Sequence, residues 1–194
     1  MGADDGASFT VSDAALAPSE GRPGSEERFE REPRPGCPEP AGGWAVPDPG
    51  RRSERHLEAV TRAARAQPDF AGLWLSYLAP MGGNVAEDPG EFVLNVAFTG
   101  DLDRHQAELR PRWGGRLCVT QQQRSYRRLL RIQRELQGDS GRDLGVRVLG
   151  TGIDEYANAV SLTVVVLEER ARQALTARYG PGAVRATAVL TPVA

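Results

Sequence analysis

The sequence contains no lysine; all 24 of its basic residues, in a chain of 194, are arginine. That excludes a P-loop, which needs a lysine to reach the terminal phosphates. With 22 glycines and 14 prolines, the absence reads as the codon bias of a GC-rich, actinobacterial-type genome. Histidine is nearly absent too. His56 and His105 each follow an arginine, and neither has the His-Cys surroundings of a chymotrypsin-like base. Two cysteines, Cys37 and Cys118, are too few for a disulfide framework or a metal site. The expectation is two free thiols in a reducing cytoplasm. No stretch approaches the roughly 20 apolar residues that span a bilayer. The opening "MGADDGASFTVSDAALAPSE" has neither the basic nor the apolar region of a signal peptide. A cytoplasmic location is therefore expected as the sequence is written, with export requiring a different start.

Net charge is −2, and it is unevenly placed. Residues 1–50 carry ten acids and four arginines, whereas 51–194 carry 20 arginines and 16 acids. The first segment, typified by "SEGRPGSEERFEREPRPGCPEPAGG", has no sustained apolar period. Such a segment buries too little apolar surface to offset the entropy lost on ordering. Residues 1–50 are expected to form a disordered acidic tail, with folding beginning near Arg51.

Beyond it, "RRSERHLEAVTRAARAQ" predicts a helix with Ser53 as N-cap and Leu57, Val60 and Ala64 on one face. "FAGLWLSYL" (70–78) and "EFVLNVAF" (91–98) predict a hairpin. Leu73, Leu75 and Tyr77 point one way and Trp74 the other; Phe92, Leu94, Val96 and Phe98 alternate with Val93, Asn95 and Ala97. A helix capped by Thr99 or Asp101 follows, then a strand at 116–120. The pattern restarts with a helix over 122–137, Tyr126, Leu129, Leu130 and Leu136 inward and Gly138 as its stop. Strands at 144–153 and 159–167 flank the turn "DEYAN", and a helix ending at Gly180 leads to a strand at 183–190.

The order is α-β-β-α-β twice. An offset of 66 residues pairs Leu94, Val96, Phe98, Leu109, Trp113 and Gly114 with Val160, Leu162, Val164, Leu175, Tyr179 and Gly180. This predicts an internal duplication, 51–120 and 121–194. Each copy is an α+β lobe, a small antiparallel sheet with helices on one face. A lone lobe of this size is marginal, so the lobes are expected to pack together.

Motifs for catalysis are weak. "GDSG" (138–141) resembles the surroundings of a serine-protease nucleophile, but Arg142 and Asp143 follow it, and the setting is a helix-to-strand loop. Ser140 is expected to be a loop serine. Gly150–Gly152 lacks the third glycine and the following helix of a dinucleotide fingerprint. Asp154 and Glu155 fall in the tight turn and are expected to be solvated. Trp74, Trp113 and Tyr179 read as packing residues. No cofactor or metal site is expected.

A short pattern is more informative. Phe70, Gly72, Trp74, Val93, Asn95, Thr99, Asp101, Arg124 and Ser125 together resemble the prosegments of α-lytic protease and the streptogrisins, over roughly residues 68–137. That resemblance implies sheets with helices on one face, no enzymatic activity and a protein-binding habit. Because no protease sequence follows Ala194, foldase action on a fused protease is not expected to carry over.

Two surfaces are candidate partner sites. On the helix at 122–137, Arg124, Arg127, Arg128, Arg131 and Arg134 oppose the apolar stripe. They form a solvated face or a dock for the acidic tail or for an acidic partner; nucleic acid is disfavoured, since no aromatic is interleaved. On the outer sheet face lie Trp74, Asn95, Ala97, Arg147, Leu149 and Thr163, either a lobe–lobe contact or a partner platform. The expectation is a non-enzymatic protein-interaction domain with a protein partner or self-association and no membrane association. A small hydrolase with an unrecognised carboxylate site and an Arg-rich polyanion-binding module are the alternatives.

Overall fold

The computed structural model describes residues 33–78, 92–138 and 143–190. The expectations for residues 1–32, for the Gly/Pro link at 79–90 and for Ser140 lie outside the described residues. The fold is α+β in two lobes. The first contains α1 (Glu54–Arg65), β1 (Phe70–Tyr77), β2 (Phe92–Phe98), α2 (Leu102–Leu109) and β3 (Arg116–Gln121). The second repeats the order with α3 (Tyr126–Gln137), β4 (Val148–Asp154), β5 (Ala159–Val164), α4 (Glu169–Tyr179) and β6 (Val184–Ala188).

Each lobe has one three-stranded sheet, ordered β1-β2-β3 and β4-β5-β6. The sheets are mixed rather than wholly antiparallel. β1 and β4 run antiparallel to β2 and β5, whereas β3 and β6 lie parallel to them. The cause is α2 and α4: a helix between neighbouring strands carries the chain back to the same end, which makes the pair parallel.

The duplication extends further than the 66-residue offset. Both first strands carry a register irregularity at equivalent places, Phe70/Gly72 and Val148/Gly150. Leu57, Val60 and Ala64 of α1 correspond to Leu129, Ile132 and Leu136 of α3, and Ser53 and Ser125 are the two N-caps. Ile132, not Leu130, is therefore a core position of α3, because it stands three residues after Leu129 on the buried stripe. Leu109 and Leu175 are both buried, as are Trp113 and Tyr179.

There are two cores. One joins Val60, Leu94, Val96, Phe98, Leu109 and Trp113 beneath the first sheet. The other joins Leu129, Ile132, Leu136, Val160, Leu162 and Leu175 beneath the second. Tyr126 opens α3 yet packs on the first core, 5.8 Å from the Phe70 ring. Helix ends differ in detail from expectation. Asp101 is the N-cap of α2 in a left-handed conformation and its side chain caps no N–H, whereas Ser125 accepts from Arg128 N at 3.3 Å. α2 ends at Leu109 with Arg110 as its C-cap, well before Gly114. A Cβ there would meet Asp48 O at 2.1 Å, so glycine admits the segment before α1.

Candidate functional site

Residues 33–50 are not a loose tail. They form a strap across the outer face of the first sheet. Trp74 Nε1 donates to Arg34 O at 3.1 Å, Gly36 N donates to Asn95 Oδ1 at 2.8 Å, and Thr120 Oγ1 donates to Gly36 O at 3.2 Å. Asp48 N donates to Gly114 O at 3.1 Å. Cys37 and Cys118 are joined in a disulfide, with Cα atoms 5.8 Å apart. The free-thiol expectation is thus corrected: the strap brings together two cysteines 81 residues apart in sequence.

This reassigns two candidate partner residues. Asn95 is fully buried. Its Nδ2 donates to Ser76 Oγ at 2.9 Å and Val93 O at 3.0 Å while its Oδ1 holds the strap. Trp74 is buried beneath the strap, with its ring edge-to-face against Tyr156, centroids 5.5 Å apart. Both are covered by the strap. In the second lobe the equivalent cross-strand pair is Gly152↔Ser161, which offers no indole or amide to a strap. Leu149 on that sheet is 55% exposed.

The turn between β4 and β5 docks on the first lobe. Glu155 accepts from Leu73 N at 2.6 Å and from Arg65 Nη2 at 2.8 Å. Glu155 is therefore not a solvated turn acid. Burial opposes the Arg65 charge, but the Glu155 and Tyr126 contacts outweigh it and its pKa is raised. Gly72 makes the docking possible: a Cβ there would lie 2.9 Å from Glu155 O. Asp154 Oδ1 accepts from Ala157 N at 2.8 Å, closing the turn.

Arg124 belongs to this joint rather than to the arginine face of α3. The helix starts two residues later, at Tyr126. Arg124 N donates to Asn158 Oδ1 at 2.8 Å, and Asn158 Nδ2 returns a bond to Arg124 O at 2.7 Å. Its guanidinium donates to the carbonyl oxygens of Asn158 and Pro181. Burial lowers its pKa, with a smaller push from Arg128. Arg127, Arg128, Arg131 and Arg134 do lie outward and exposed on α3. No carboxylate among the described residues pairs with these four.

His105 is fully buried. Its ring stacks on Phe98 with centroids 3.6 Å apart, and Nε2 donates to Asp69 Oδ2 at 2.7 Å. The pair ties α2 to the start of β1. His56 Nδ1 lies 2.7 Å from Ser53 Oγ at the exposed start of α1.

Between strap and body lies a cavity of about 330 Å³, walled by Pro38, Pro40, Trp44, Leu117 and the disulfide, with Gln106 and Arg110 at one side. Sequence reasoning missed it, because its strap wall falls in residues assigned to the tail. No group of three or more metal-ligating side chains stands together among the described residues, and no helix among them is long and apolar enough to cross a membrane. No protein-family model matches the chain, and no curated protein matches it.

Proposed function

We propose that the chain is a non-enzymatic protein-interaction domain of the prosegment kind, and that the outward face of α3 meets an acidic segment of its partner. The observation that carries this reading is the row Arg127, Arg128, Arg131 and Arg134, exposed and without carboxylate partners among the described residues, on a helix fixed by Leu129, Ile132 and Leu136. Four guanidiniums on a rigid scaffold create a local positive field in a chain of net charge −2. Such a field steers an acidic partner and fixes its register more than it adds raw affinity. The disulfide supports maturation in an oxidising compartment in place of the reducing cytoplasm first expected.

The test is fluorescence anisotropy with a labelled Glu-rich peptide. The reading expects salt-sensitive binding, weakened about tenfold or more by the Arg127→Glu, Arg128→Glu, Arg131→Glu triple variant. Equal binding by that variant overturns it. Tighter binding of a single-stranded oligonucleotide than of the peptide would favour the polyanion-binding alternative.

A further inference from the structure

We propose that the cavity beneath the strap is a binding site for a small aromatic carboxylate, separate from the arginine face of α3. Its volume of about 330 Å³ lies at the small end of the range for ligand pockets, so it suits a compact molecule. Its walls set the chemistry. Trp44, the strap prolines, Leu117 and the disulfide sulfurs are apolar surfaces, and flat rings pack well on prolyl and indole faces.

The polar side carries the sign. Arg110 and Gln106 stand one turn apart at the C-terminal end of α2 and both line the cavity. Arg110 Nη1 donates to Trp113 O at 3.2 Å and Gly115 O at 2.7 Å. Those carbonyls brace the guanidinium without neutralising it, and burial lowers its pKa. No aspartate or glutamate among the described residues lines the cavity. Nearby, Arg116 Nε donates to Trp44 O at 3.2 Å, and its buried Nη1 has no hydrogen-bond partner. Among the described residues the part-buried Arg110 cation is held by neutral oxygens alone and lacks the counter-charge that normally offsets desolvation. A carboxylate at the Arg110 and Gln106 end would supply it, taking a charge-assisted bond from the guanidinium and one from the amide. The ring would then lie against Trp44 and the prolines.

Phenylacetate and its neutral isostere phenylacetamide separate charge recognition from apolar filling. Both are titrated into the full oxidised chain, following the indole N–H resonance of Trp44, assigned through Trp44→Phe. The expected result is saturable, one-to-one binding of phenylacetate that shifts this resonance, with phenylacetamide about tenfold weaker or worse. Gln106→Ala, on the exposed side of α2, should weaken phenylacetate severalfold, and Arg110→Gln should remove the preference for acid over amide. If Arg110→Gln does not fold, Gln106→Ala and the acid–amide ratio decide alone. Equal affinity for acid and amide, or no shift of the Trp44 resonance at saturating acid, overturns the proposal.

Discussion

Breaking the bond between Cys37 and Cys118 should remove a large share of the protein's stability. The bond closes a loop between residues 81 apart. Loop-closure entropy for that length corresponds to about 4–5 kcal/mol at room temperature, against a typical domain stability of about 5–15 kcal/mol. The strap's other anchors include hydrogen bonds to Trp74, Asn95, Thr120, Gly114 and Arg116. Each contributes about 1 kcal/mol net, so they hold the strap only while the bond restricts its freedom. The Cys37→Ser, Cys118→Ser double variant is compared with the oxidised protein by urea denaturation. The expected loss is several kcal/mol, with the cores of both lobes still cooperative. Removing residues 1–32 should be silent by comparison, and removing 1–48 should resemble the double variant. A stability difference below about 1 kcal/mol, together with both native cysteines open to iodoacetamide, would refute the reasoning.

Three other substitutions test the duplicated architecture and its joint. Leu109→Ala and Leu175→Ala should each destabilise by about 2–5 kcal/mol in thermal or chemical melts, and their effects should add, because the two leucines sit in separate cores. Gly72→Ala drives a methyl group into the main chain of Glu155. It should destabilise by about 1–3 kcal/mol and shift the amide resonance of Leu73; an unchanged Leu73 signal would contradict the docking of the turn. His105→Phe keeps a ring against Phe98 but strips Asp69 of its hydrogen bond, and should cost about 1–3 kcal/mol by denaturation. A neutral result would mean that Asp69 finds another donor.

Periodicity made the lobes legible. Alternation in "EFVLNVAF" separates Leu94 and Val96, which enter the core, from Asn95, which turns to the outer face. The repeat offset placed Leu109 and Leu175 correctly, since core positions are dictated by which face a residue occupies. The parallel pairing of β3 and β6 was available in principle, because a helix stands before each. The strap was not legible. Its anchors are backbone carbonyls, backbone N–H groups and one cysteine, so it has no apolar period and its Pro/Gly composition matches that of a disordered segment. The exposed arginines at 127, 128, 131 and 134 were read correctly as outward. Arg124 was misplaced because the helix begins after Ser125, the N-cap that a serine before an apolar run signals.

The central functional claim is that α3 is the partner-facing surface. Its most direct test is amide chemical-shift mapping of the oxidised protein titrated with the Glu-rich peptide. The account predicts that the shifted resonances cluster at 127–134, move toward saturation and collapse with added salt. Shifts centred instead on the open face of the second sheet around Leu149, or none at any peptide concentration, would contradict it.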